Sequence, residues 1–276
     1  MFAYNLSIII SMDPLIHSQN CSNCGTGFIG KFCYNCGQKK IELKDRSLKA
    51  FTVHFIEEFF TFDSKFYRSM KSLLFKPGFL TLEYISGRFV RYISPLKMYL
   101  FTSLISLFIL LNIDPDQYTG LMEPRDEDDI FQMSITPIME SKDMSENEFK
   151  EKFNESVNDL TAISIFFIMI GFTLILKLLY INKHIYYVEH LVFTLHFFTM
   201  VLIFFTIGAL LSELEPDVMN FFLFLIPCVY LFIAIKKVYH IRWIWSVLTS
   251  ALLSLAYIIL LTIWSYGIIM VAALRA

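Results

Sequence analysis

The sequence has no Walker A loop, no GxGxxG turn, no Gly-x-Ser-x-Gly elbow and no protein-kinase signature set. These absences remove the common phosphate-cradling and nucleophile-elbow chemistries, and nothing else in the chain supports a soluble catalytic domain. No paired helical repeat of the inverted-transporter kind is visible. Residues 1–20 lack a basic n-region and a small-x-small cleavage site, so the short apolar run at 6–10 does not read as a secretory signal peptide. Met12 is a candidate start alternative to Met1. Cysteine is scarce, with five residues in the chain, and four of them fall within 21–36.

What the chain has in excess is apolar surface. Apolar residues make up 56% of its 276 positions, 29 of them Phe, and mean hydropathy is +0.56. Those values exceed what an ordinary soluble domain carries. The expected fold class is an all-α polytopic membrane protein of about five transmembrane helices, with a small N-terminal Cys₄ zinc ribbon and cytoplasmic interfacial helices. The predicted spans are 95–113, 160–181, 190–211, 218–235 and 243–274, each near the ~20 residues that a ~30 Å hydrocarbon core requires. Pro95 suits a first helical turn. Pro227 is a candidate kink in the fourth span. The fifth span is longer than needed, so tilt or a projecting end is expected.

The net charge of −2 conceals a segregation. Residues 1–97 carry 13 Lys+Arg and 7 Asp+Glu, whereas residues 114–159 carry 4 and 14. The later links alternate in the same way: Lys177, Lys183 and His184 are followed by Glu213, Glu215 and Asp217, then by Lys236, Lys237, His240 and Arg242. By the positive-inside rule the N-terminus is cytoplasmic and the C-terminus extracytoplasmic. The expected location is a bacterial inner membrane, crossed several times.

The four clustered cysteines are Cys21, Cys24, Cys33 and Cys36, in CSNCGTGFIGKFCYNCGQ. Two Cys-x-x-Cys-Gly knuckles can wrap one tetrahedral ion, with Gly25 and Gly37 allowing φ > 0 where each knuckle closes. Disulfides would need an oxidising compartment. A thioredoxin-like dithiol would need a single pair beside a βαβ pattern. Structural zinc is therefore the expected cofactor, in a ribbon spanning 20–40 after a disordered segment at 1–19. Few lysines flank it, so nucleic acid is not an expected partner. Cys228 lies in an apolar run, where a lone thiol is ordinarily a small buried hydrophobe.

Residues 41–94 read as amphipathic helices. Phe51, Phe55, Phe59 and Phe62 fall near helical spacing after Ser47, and Lys65, Arg68 and Lys71 oppose Leu73 and Leu74 on a second helix stopped by Pro77-Gly78. Two readings apply: helices lying in the headgroup plane against anionic lipid, or a small helical domain packed on the cytoplasmic ends of the spans. The loop at 114–159 is acidic, including the run Asp126, Glu127, Asp128, Asp129. It lacks EF-hand spacing and reads as a solvated extracytoplasmic loop. From Ser145 it is expected to extend the second span outward as a helix.

Ionisable residues at the membrane are functional candidates by default. Glu189, His190 and His196 open the third span, and Glu189 and His196 share a helical face. The HExxH spacing of a zincin is absent. Arg88 and Arg91 are candidates to pair with Glu189 or to bind lipid phosphate. The ordinary reading is flanking charge.

Several motifs line up together: the CxxCG…FCxxCGQ ribbon, the run Pro77, Gly78, Tyr84, Gly87, Arg88, Tyr92, Pro95, Tyr99, and EHLVFTLHF at 189–197. In these the chain resembles the DUF3667 family, uncharacterised bacterial membrane proteins frequent in Bacteroidetes. The resemblance implies a zinc-ribbon membrane protein and brings no catalytic residues. The expected function is a non-enzymatic scaffold, sensor or assembly factor that meets a protein partner at the ribbon. The alternatives are a small transporter or channel using Glu189, His190 and His196, which would need a homo-oligomer, and a lipid-acting enzyme using the same residues.

Overall fold

The computed structural model describes residues 19–40, 47–49, 65–113, 137–139, 141–142, 144–212 and 221–276. The candidate start at Met12, the Phe51–Phe55–Phe59–Phe62 stripe, the acidic run at 126–129, and Glu213, Glu215 and Asp217 lie outside the described residues. The described chain is mostly helical, with one small ribbon.

In the ribbon, β1 (Gln19–Asn20) pairs antiparallel with β2 (Gly27–Phe28), Gln19 opposite Phe28 and Asn20 opposite Gly27. A single antiparallel bridge joins Phe32 to Lys39. The helices are α1 (Lys65–Phe75), α2 (Phe79–Ile85), α3 (Pro95–Ile113), α4 (Glu146–Leu179), α5 (Tyr187–Ser212), α6 (Ile226–Tyr239) and α7 (Trp243–Arg275). A π-helical turn, Phe221–Leu225, leads into α6.

Helix α5 is the hub and packs against α1, α2, α3, α4, α6 and the π turn, while α7 packs on α4 and α6. Of its most apolar stretch 78% is buried, against 28% for the π turn with α6 and 22% for α7. The outer faces are therefore the greasy ones. Leu104, Phe108, Phe167, Leu174, Leu178, Leu248, Leu252, Leu255, Ile259 and Ile263 are all exposed. Buried instead are Ser69, Thr81, Thr173, His190, Thr194, His196, Thr199, Ser246 and Ser250. Apolar side chains outside and hydroxyls inside are an arrangement compatible with a lipid solvent. Three described helical stretches, Tyr187–Leu211, Phe221–Tyr239 and Trp243–Arg275, are long and apolar enough to cross a membrane. The shorter apolar stretches Pro95–Leu110 and Phe167–Leu179 fall on the first two predicted spans.

Four threonine hydroxyls inside the bundle find local partners. Thr173, Thr194, Thr199 and Thr206 each donate to the carbonyl four residues back, at 2.7–3.0 Å. This satisfies a hydroxyl without leaving the helix. At Pro227 the fourth span is not simply kinked. Leu223 lies in the π turn four residues before Pro227, and the hydroxyl of Tyr257 on α7 donates to its carbonyl at 3.3 Å.

Between the two readings of α1 and α2, the structure has both helices docked on the bundle. Leu73 and Leu80 are buried, and Ser69 Oγ accepts from the backbone N–H of Ile93 at 3.0 Å. The turn between the helices places Gly78 at φ 73°, and a Cβ there would stand 3.0 Å from the carbonyl oxygen of Ala234 on α6. Helix α2 closes with Gly87 at φ 77°. The Arg88 N–H bonds Glu83 O and the Gly87 N–H bonds Tyr84 O, which is the Schellman pattern. Arg68 and Lys71 stay exposed on the outer side of α1.

Helix α4 begins as expected at Ser145, whose hydroxyl accepts from the Glu148 N–H at 3.3 Å. Its 34 residues span about 50 Å at ~1.5 Å per residue, well beyond a bilayer core. The projecting part is not bare. Phe149, Phe153 and Val157 pack with Ile268, Ala272 and Ala273 of α7 into a separate core, and Lys142 Nζ bonds the carbonyl of Leu274 at 3.1 Å. The excess length of the last helix thus serves as the partner for the amphipathic half of α4.

Candidate metal centre

The ribbon is built twice from one local rule. In the first knuckle the Cys21 N–H bonds Thr26 O and the Gly25 N–H bonds Cys21 O. In the second, the Cys33 N–H bonds Gln38 O and the Gly37 N–H bonds Cys33 O. Gly25 and Gly37 have φ 76° and 72°, the left-handed conformation the knuckle needs. Phe28 packs under the cysteines.

The two knuckles face each other. Cys21 Sγ lies 3.5 Å from Cys36 Sγ, and Cys24 Sγ lies 3.7 Å from Cys33 Sγ. All four sulfurs fall within 4.8 Å of one another, the only group of three or more His, Cys, Asp or Glu among the described residues that could hold an ion. A tetrahedral set with Zn–S near 2.3 Å has sulfur–sulfur edges of about 3.8 Å. The separations fit a single tetrahedral ion with all four positions filled by protein.

The thiols are not equivalent. Burial pushes Cys21 up to about 11. Hydrogen bonds from the Thr26 side chain and then its backbone lower Cys24 to about 6. Thr26 Oγ1 accepts from Asn35 Nδ2 at 3.0 Å and from the Cys24 thiol at 3.3 Å. Cys36 is lowered by the Asn23 side chain. Thr26, Asn23 and Asn35 were not singled out by the sequence. The signal for Thr26 was its place just after Gly25, opposite Gln38 in the second knuckle.

Glu189, His190 and His196 at the start of α5 make their described hydrogen bonds to different partners. Glu189 Oε2 accepts from the Tyr186 N–H at 3.2 Å and so caps its own helix. The buried His190 shares a hydrogen bond of 2.7 Å between Nδ1 and the Tyr239 hydroxyl, and its ring stacks with Tyr239 and Tyr180. His196, also buried, is bonded through Nδ1 to Thr81 Oγ1 of α2 at 2.9 Å. The two imidazoles thus tie α5 to two different helices. Arg88 meets Glu83, with contacts of 2.6, 3.0 and 3.1 Å, and that carboxylate raises its pKa. Arg91 is exposed.

Residues 63–107 match the family model of DUF3667, a protein of unknown function. The match covers the run from Pro77 to Tyr99, one of the three motifs on which the resemblance rests; the cysteine ribbon and residues 189–197 lie outside it. No curated protein and no solved structure matches the chain.

Proposed function

We propose that this chain is a multi-pass membrane protein that works as a non-enzymatic scaffold, sensor or assembly factor, with a zinc-stabilised cytoplasmic knob that meets a protein partner. The observation that carries this reading is the closed set of Cys21, Cys24, Cys33 and Cys36. A Cys₄ site leaves no open position for substrate or water, so its zinc would be structural. The knob would present Ile29, Phe32 and Tyr34, all exposed, on a surface fixed by the metal.

The reading includes five spans, with α3 and the apolar half of α4 completing the three longer helices. It also includes an orientation. Lys177, Lys183, Lys236, Lys237, His240 and Arg242 sit at helix ends that converge, since Lys183 Nζ bonds the carbonyl of Tyr239 at 3.0 Å. That basic end is assigned to the cytoplasm of a bacterial inner membrane, with the α4–α7 projection outside. Transport or lipid chemistry at Glu189, His190 and His196 is less well supported, because each is engaged by a different element.

The test is twofold. Purified protein under reducing conditions should hold about one zinc per chain, as expected of a tetrahedral site. Crosslinking in native membranes should capture a protein through Tyr34 replaced by a photoreactive residue. Loss of that crosslink on Cys33→Ser, with the chain still in the membrane, supports the knob. A zinc-free ribbon that crosslinks equally well would refute it.

A further inference from the structure

We infer that the basic end carries a specific site for one anionic phospholipid, with its phosphate held by Lys76 and Lys237 and an acyl chain lying along α6. The inference rests on the membrane reading above and adds a ligand and a place. Lys76 comes from the turn after α1 and Lys237 from the last turn of α6. Each ammonium lies 5.4 Å from the centroid of the same ring, Phe79. Tyr92 packs edge-on against that ring at 6.0 Å, fixing its place.

Two like charges brought to one ring repel, and the ring face offsets only part of that. Among the described residues neither ammonium has an ion pair or a hydrogen bond. Both are exposed. A phosphate would supply the missing anion. The shape of the neighbouring surface selects a lipid over a free anion. Leu225, Val229 and Ile233 are exposed and stand at intervals of four residues that continue to Lys237, one lipid-facing row ending at the cation. Lysines at the end of such a row lie where headgroups sit.

The full-length chain in non-ionic detergent is titrated with dioleoylphosphatidylglycerol, with dioleoylphosphatidylcholine and with inorganic phosphate, and bound species are counted by native mass spectrometry. One phosphatidylglycerol should be retained in preference to phosphatidylcholine, and millimolar phosphate should not displace it. K76Q/K237Q should weaken retention on the order of tenfold or more, from the loss of two lysine–headgroup attractions. K76R/K237R should preserve it. K150Q/K152Q, which removes as many charges from α4, should change nothing. Equal retention in K76Q/K237Q, equal loss in K150Q/K152Q, or displacement by phosphate overturns the lipid site. Flotation with 4:1 phosphatidylcholine:phosphatidylglycerol vesicles separates the two readings. A wild-type chain that stays out of the vesicles defeats the membrane reading. A chain that inserts but keeps its lipid in K76Q/K237Q defeats this inference alone.

Discussion

Tyr230 donates its hydroxyl to the backbone carbonyl of Leu73, at 3.1 Å and 157 positions away in the chain. That carbonyl is the one a residue at 77 would ordinarily serve, and residue 77 is proline, which has no N–H. The same relation recurs between Tyr257 and Leu223, four residues before Pro227. In both places a carbonyl four residues before a proline, at the end of α1 and in the π turn before α6, receives a tyrosine hydroxyl from another helix. Backbone groups in such surroundings must be satisfied internally.

Tyr230→Phe keeps the ring and removes the donor. It is expected to lower stability by about 1–3 kcal/mol, the cost of leaving a buried acceptor unpaired. The check is the thermal midpoint in one detergent, compared with Pro77→Ala and the double variant. Pro77→Ala supplies an N–H four residues after Leu73, which α1 could take up by one further residue, so Tyr230→Phe should cost less in that background. Equal costs in both backgrounds would show that the hydroxyl does not answer the proline.

Gly78 joins two constraints that most glycines meet singly. It has positive φ, and its Cα approaches the backbone of Ala234 so closely that a Cβ would stand 3.0 Å from the carbonyl oxygen. Gly78→Ala should destabilise the chain by more than about 1 kcal/mol, because backbone strain and overpacking act together. Gly25→Ala is the comparison, with positive φ but nothing within 4 Å of the added carbon. It should strain the knuckle and leave the bundle's thermal midpoint unchanged.

The cysteine cluster was legible because its geometry is local. Cys-x-x-Cys-Gly fixes two sulfurs within one turn, and the second knuckle repeats the first. The stop at Pro77-Gly78, the cap at Ser145 and the last long helix were legible for the same reason. What the sequence could not supply were partners across the bundle. Seven-residue spacing places Glu189 and His196 on one face, but a face does not name a neighbour. Glu189 turned to its own helix end, His196 to Thr81 and His190 to Tyr239. Charge alternation likewise did not show that the first half of α4 and the last turns of α7 pack together.

The unequal thiols give the ribbon a pH signature. With metal removed, Cys24 at about 6 is mostly thiolate at pH 7, whereas Cys21 at about 11 is protonated. Iodoacetamide at pH 7 should therefore modify Cys24 well before Cys21, as mass spectrometry of peptides would show, since the thiolate is the nucleophile. The sign for the folded apo-ribbon follows. Cys24 is lowered from its ordinary value, so its stabilising contribution is present above about pH 9 and fades as pH falls toward about 6. Zinc needs all four groups deprotonated and releases protons on binding, so retention against a chelator should drop on going from pH 8 to pH 5.5. Retention independent of pH would argue against thiolate ligation.

Phe153 tests whether the projecting halves of α4 and α7 form a real core. Its side chain is fully buried among Phe149, Ala272 and Ala273, outside the stretch long enough to lie in a bilayer together with the rest of α4. Phe153→Ala should cost about 3–5 kcal/mol locally, the range for removing a buried aromatic. Because this cluster is separate from the main one, the loss should appear as faster protease cleavage in the first turns of α4 and after Ile268. Helices α5 and α6 should stay protected. Cleavage that spreads equally into α5 would mean that the two cores fold as one unit.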